Sequence, residues 1–194
     1  MRRLLVVAAL WGTLGMAAFA DELEEGAEVP DLTATIQSGK TLNLKEVASK
    51  GYALIYFYPK ADTAGCTAQA CSLRDAYEEL TAKGVKVIGV STDTVAAQAA
   101  FKEKYSLPFD LVADPEGKVI EAFGVPYMPI KNFAKRQAYL FKDGKLIWRS
   151  LSASTKTQAD DVLKVLAEYE GKQQEQSRQP QEQASQQSQP EPSK

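Results

Sequence analysis

Residues 53–66 read ALIYFYPKADTAGC. The first six are apolar or aromatic without a break, the pattern of a β-strand buried on both faces. Pro59 has no N–H to extend a ladder and closes the strand. Beyond it, residues 66–83 carry Leu73, Tyr77 and Leu80 at helical spacing and stop before Gly84, a residue suited to the left-handed position after a helix. A strand that hands over to a helix, with Cys66 at the handover, is the unit from which the fold is read.

Downstream, residues 85–90 form a second buried strand. Thr94 caps a helix across residues 96–104, with Phe101 and Tyr105 inward. Residues 109–112 make a short strand. Asp114, Pro115 and Glu116 predict a helical turn running to Phe123, with Asp114 as N-cap and Pro115 at the first helical position. Residues 137–142 and 145–150 flank Asp143-Gly144, a strong hairpin signal. A last helix covers residues 157–170, with Val162, Leu163, Val165 and Leu166 toward the core. Upstream, residues 32–44 hold a smaller hairpin around Ser38-Gly39. Strands joined by helices predict an α/β domain with a central mixed β-sheet flanked by helices, and the order β-α-β-α-β-β-α is that of a thioredoxin-like fold. No internal repeat is visible.

The two ends read differently. Arg2 and Arg3 precede an apolar run, and Ala18-Phe19-Ala20 then leads into Asp21-Glu22. A charged start, an apolar centre and a small-x-small site are the three parts of a secretory signal, here residues 1–20 with cleavage after Ala20. The alternative, a membrane anchor, meets a run shorter than the roughly 20 residues that span a bilayer. Residues 172–194 are mostly Gln, Ser, Pro and Glu with no large apolar side chain, the composition of a disordered tail. One domain, residues 21–171, remains, long enough for a single core. An exported protein, periplasmic or secreted and free of the membrane after cleavage, is the expectation.

The chain has 23 basic and 25 acidic residues, so nothing in its charge suggests a nucleic-acid partner. It has no histidine, which removes His general bases, His metal ligands and a Cys–His dyad together. The only cysteines are Cys66 and Cys71. Two thiols alone make a poor zinc site. In an oxidising compartment a close pair forms a disulfide.

Cys66 stands near the start of its helix, where backbone N–H groups lack partners and the helix dipole favours negative charge. Both enrich the thiolate, the nucleophilic form of sulfur. A thiolate held there can attack the O–O bond of a hydroperoxide and become a sulfenic acid. Positions five apart in an ideal α-helix have Cα atoms about 8.6 Å apart, beyond the roughly 7 Å limit of a disulfide. Cys71 can therefore resolve the sulfenic acid only if the helix opens locally. Two other readings of the pair stand beside this one: a structural disulfide, whose small loop contributes only about 2 kcal/mol on the chain-entropy relation, and two inert buried thiols. Thr63 is either an ordinary N-cap or, in addition, a partner for the thiolate or the peroxide oxygen. Pro59 is either a strand breaker or an apolar wall over the sulfur.

The pattern Pro59-x-x-x-Thr63-x-x-Cys66 resembles the active-site signature of the peroxiredoxins. The stretch FYPKADTAGCTAQACSLRD (57–75) is similar to the peroxiredoxin Q subfamily, also called bacterioferritin comigratory protein, as are residues 101–125 and 136–148. The resemblance covers residues 26–169. It implies that Cys66 is the peroxidatic nucleophile, Cys71 the resolving cysteine, Thr63 the group that orients peroxide, Pro59 the shield, and Arg136 the stabiliser of the thiolate and of the charge that develops as O–O breaks. By its local sequence alone, Arg136 is a surface arginine at a strand start. The resemblance also implies no metal or organic cofactor, hydroperoxides as substrates, a thioredoxin-like reductant and a monomer. Three positions depart from the subfamily: Ala61 in place of an acid, Ala64 in place of proline, and Gln69 in place of glutamate. Other classes remain open on the residues: a disulfide exchanger, although no Cys-x-x-Cys is present, and an exported binding module that keeps a disulfide for structure. A copper chaperone would need a histidine ligand.

Overall fold

The computed structural model describes residues 22–129 and 132–187. Seven strands form one sheet: β1 Thr33–Ile36, β2 Thr41–Asn43, β3 Tyr52–Phe57, β4 Val85–Ser91, β5 Asp110–Ala113, β6 Gln137–Lys142 and β7 Lys145–Ser150. Their order across the sheet is β2-β1-β5-β4-β3-β6-β7. Strands β3, β4 and β5 run parallel, and β6 returns antiparallel against β3, with Phe57 opposite Gln137. The helices are α1 Leu44–Ala48, α2 Ala64–Asp75, α3 Tyr77–Ala82, α4 Val95–Lys104, α5 Lys118–Ala122 and α6 Gln158–Gln187. The sheet is mixed and lies between helical layers, as expected for the thioredoxin-like class.

The six residues of β3 are all buried, because both faces of the strand are covered. Tyr52, Leu54, Tyr56 and Tyr58 pack into one core with Cys66, Ala70 and Leu73 of α2, Phe101 of α4 and Val162 and Leu166 of α6. Ala53, Ile55 and Phe57 point the other way, toward Leu44, Val119, Ile120 and Phe123. The alternation is the period of two of a β-strand, hidden in the sequence because both faces need apolar side chains.

Three local expectations change. The helix foreseen over residues 66–83 starts at Ala64 and is broken at Ala76, whose ψ of 11° departs from helical geometry. No glycine or proline marks the break; it lets Tyr77 lean on Phe109, with ring centroids 6.1 Å apart, while Leu73 and Leu80 both stay buried. Asp114 is not the N-cap followed by Pro115. Residues 114–117 form a turn closed by Gly117 N–H to the Asp114 carbonyl at 3.0 Å, and α5 starts only at Lys118. The reversal needs Gly117, at φ 75°, and a Cβ there would lie 2.0 Å from the Tyr127 hydroxyl oxygen. Asp114 still serves the helix, accepting from the N–H groups of Val119 and Ile120 at 2.9 Å. Finally, α6 runs on to Gln187 through residues read above as a disordered tail. Gln, Glu, Lys and Ala are good helix formers, and residues 171–178 are exposed throughout, so this part of the extension adds helix without adding core. The leader expected at residues 1–20 and the end of the tail lie outside the described residues.

A buried polar chain ties this core to the loop that leaves β3. The Tyr58 hydroxyl donates to Gln98 Oε1. Gln98 Nε2 donates to Ser91 Oγ at 2.8 Å and to the Val112 carbonyl at 2.9 Å. Ser91 Oγ donates to Asp93 Oδ2 at 2.7 Å, and the same carboxylate accepts the Ala61 N–H at 2.7 Å. Replacing Gln98 by Leu orphans several of these groups where water does not reach, and we predict a loss of about 3 kcal/mol in urea unfolding of the reduced protein.

Candidate active site

The loop between β3 and α2 is shaped from three sides. Tyr58 N–H still pairs with the Val90 carbonyl at 3.1 Å, and Pro59, half-buried, then ends the ladder. Asp93 holds the Ala61 N–H, as described. Asp62 takes a left-handed conformation, φ 57°, and its carboxylate accepts from Lys104 Nζ at 2.7 and 2.8 Å and from Tyr105 Oη at 2.6 Å. The Lys104 ammonium, and then the Tyr105 hydroxyl, hold the Asp62 carboxyl below the usual range. The loop is pinned to α4 on one side and to the end of β4 on the other.

Thr63 is the N-cap of α2 by backbone conformation, and its carbonyl accepts the Thr67 N–H at 2.8 Å. Its hydroxyl does not cap the helix. It donates to the Lys60 carbonyl at 3.0 Å, inside the turn. No acidic residue lies in the first turn and no side chain caps it, so N–H groups there keep their positive ends free. Cys66 is the third residue of this helix and only 1% exposed.

Arg136, immediately before β6, reaches this sulfur from 70 positions away. Its Nη2 donates to Cys66 Sγ at 3.3 Å and its Nη1 to Gln69 Oε1. Gly65 makes room for it: a Cβ there would lie 3.3 Å from Nη2. Cys71 is partly exposed in the same helix, and both sulfurs are free thiols. The structure thus brings Cys66 and Arg136 together, keeps Pro59 and Thr63 in the loop just before the sulfur, and leaves Cys71 within a continuous stretch of α2.

Two features were not assigned from the sequence. Gln69, fully buried, also donates through Nε2 to Gln158 Oε1 at 2.9 Å. Its position three after Cys66, on the same helix face, is the signal that was there to be read. Gln158 gives no such signal, since only the tertiary fold brings it to α2. Tyr56 is the other feature. Burial pushes its phenol well above the ordinary value, with Tyr58 and Cys66 adding to the effect. Its hydroxyl has no hydrogen-bond partner among the described residues and lies over Gly89, where a Cβ would come within 2.8 Å of it.

The AhpC/TSA family model matches residues 26–149, well over half of the chain. The chain belongs to this family, the peroxiredoxins. A putative peroxiredoxin bcp of Coxiella burnetii is 43% identical over 103 residues, which is 53% of this chain and 68% of the relative. Peroxiredoxin Bcp of Bacillus subtilis is 37% identical over 157 residues, 77% of this chain and 99% of the relative. Among solved structures, the peroxidoxin BcpB of Mycobacterium tuberculosis superposes with a TM-score of 0.70 at 31% identity, covering 75% of this chain and 97% of that one. The resemblance read from the sequence is therefore a family relationship. Peroxiredoxins are oxidoreductases of the peroxidase kind that act through a cysteine thiol and draw on a thiol reductant.

Replacing Arg136 by Met removes the charged donor from the Cys66 sulfur. We predict that oxidation of the cysteine by hydrogen peroxide, followed by stopped flow, slows by about two orders of magnitude, as when one donor to a developing anion is lost.

Proposed function

We propose that this peroxiredoxin is an exported thiol peroxidase in which Cys66 reduces hydroperoxides and Cys71 resolves the product. The observation that carries the reading is the buried Cys66 sulfur at the first turn of α2, with a guanidinium nitrogen 3.3 Å away. A charge-assisted bond is stronger to a thiolate than to a thiol, so this arrangement favours the nucleophile. The thiolate attacks one oxygen of the hydroperoxide, the O–O bond breaks, and its electron pair leaves with the second oxygen. That oxygen takes a proton and departs as an alcohol, or as water when the substrate is hydrogen peroxide. The sulfur, oxidised by two electrons, becomes a sulfenic acid. Arg136 stabilises the negative charge on the separating oxygens. The Thr63 hydroxyl, its proton engaged by the Lys60 carbonyl, offers lone pairs to the peroxide O–H. Pro59 limits water at the loop side.

Resolution follows from the spacing. With both cysteines in α2, their Cα atoms stand about 8.6 Å apart in ideal geometry, so the helix opens before their sulfurs join. The Cys71 thiolate then attacks the Cys66 sulfur, the S–O bond breaks, the oxygen takes a proton from solvent and leaves as water, and an intramolecular disulfide remains. A thioredoxin-like dithiol returns both cysteines to thiols and is itself oxidised. The leader at residues 1–20 directs the chain out of the cytoplasm, where a monomeric enzyme of this kind serves antioxidant defence with a reductant of that compartment.

The test is a cysteine pair of variants treated with hydrogen peroxide. Cys66→Ser abolishes peroxide consumption. Cys71→Ser keeps the first turnover and stops at a sulfenic acid that dimedone traps, with no internal disulfide. Peroxide clearance by Cys66→Ser at the parental rate would exclude Cys66 as the nucleophile. N-terminal sequencing of the protein recovered outside the cytoplasm tests export; it is expected to start at Asp21.

A further inference from the structure

Arg136 carries a full positive charge into a half-buried site, yet no carboxylate lies within ion-pair distance of it among the described residues. Its only side-chain partners there are the Cys66 sulfur and the Gln69 carboxamide oxygen. A guanidinium has donors and no acceptor, so it dictates which end of that amide faces it. With the Gln69 oxygen turned to Arg136, the Gln69 nitrogen must point outward and find an acceptor. It finds Gln158 Oε1 at 2.9 Å. Gln158 is the first residue of α6 and, like Gln69, fully buried. Its own Nε2 is then the end of the line, and it has no partner among the described residues. That orphan donor is what a chain of two amides leaves when its polarity is set at the arginine end.

We propose that Gln69 and Gln158 are positioning residues that form an uncharged relay, holding the Arg136 guanidinium on the Cys66 sulfur while leaving its charge uncompensated. This rests on the reading of Cys66 as the reacting sulfur and adds to it. A carboxylate at position 69 would hold Arg136 at least as firmly, but it would share the positive charge between sulfur and carboxylate. An amide holds it by one oxygen and takes none of the charge away. Gln158 is the part that makes the amide reliable. Without an acceptor at Gln158, Gln69 loses the bond that fixes its nitrogen end, and its amide turns at little cost. In the turned state two donors face each other and Arg136 is no longer braced.

Three variants separate this from a merely structural role. Gln69→Glu lets Gln158 rotate its amide and donate Nε2 to the new carboxylate, so the orphan donor of this chain gains an acceptor and the fold is retained. The expected result is a protein at least as resistant to heat as the parent. Its reaction with hydrogen peroxide slows about tenfold at neutral pH, and the acidic limb of its pH–rate profile moves up by about one pH unit. Gln158→Met removes the acceptor and is expected to slow the same reaction several-fold, whereas Gln158→Glu keeps an acceptor toward Gln69 in either protonation state and restores the rate. A Gln69→Glu protein whose pH–rate profile coincides with the parent's overturns the proposal, as does a folded Gln158→Met protein that reacts at the parental rate. If Gln158→Met does not fold, the Gln69→Glu profile decides alone. Cys66→Ser, run alongside, tells failure of the relay from failure of the assignment of the sulfur: if that variant still clears peroxide, the assignment falls and the relay with it, and if it does not, a negative result in the Gln69 and Gln158 variants counts against the relay alone.

Discussion

The antiparallel register of β3 and β6, with Phe57 facing Gln137, decides where Cys66 and Arg136 meet. One strand ends there and hands the chain to a cysteine; the other begins there, just after an arginine. Because a one-residue slip would turn every side chain of β6 to the opposite face, the register is held by the whole core on both sides of the sheet. Leu54 opposite Leu140 and Tyr56 opposite Ala138 fill one face, while Ile55 opposite Tyr139 fills the other. The contact between Arg136 and Cys66 is thus a by-product of packing many residues away. Those buried side chains set where the two backbones meet, and the pinned loop and the contact of Arg136 with Gln69 do the rest.

How much of this could be read from the residues depended on the range of the forces involved. The run 53–58 announced a doubly covered strand because both faces of β3 need apolar partners. Gly84, at φ 76°, and Asp143-Gly144, at φ 48° and 81°, were legible because left-handed backbone is a local steric demand. The break at Ala76 was not legible, since no residue there resists helix; the demand comes from Phe109, on another element. Asp114 was half legible. Its carboxylate does serve α5, but the glycine that delays the helix by one turn lies between them.

The site divides along the same line. Cys66 at a helix start follows from its own neighbourhood. Arg136 does not, and only family resemblance pointed to it, because its significance is a distance of 3.3 Å to an atom on a remote element. Thr63 was placed correctly as the residue before the helix, yet its hydroxyl turns inward to the Lys60 carbonyl, a choice between two nearby acceptors that sequence does not settle. Gln69 stood out only as a departure from the subfamily, and Gln158 not at all. Their partnership spans 89 positions and depends on α6 lying across α2. The polar chain from Tyr58 through Gln98 and Ser91 to Asp93 is of the same kind. Each member is an unremarkable residue in its own segment, and together they fix the loop from beneath.

Gln69 lies between Cys66 and Cys71 along α2. Any bond between the two sulfurs draws that segment out of helical shape, and Gln69 travels with it. If Cys71 resolves Cys66 as proposed, the brace on the guanidinium is therefore dismantled by the very event that ends the sulfur's turn of duty. A spent site built this way keeps no poised arginine for a further oxidant, and readiness returns only when the turn winds up again.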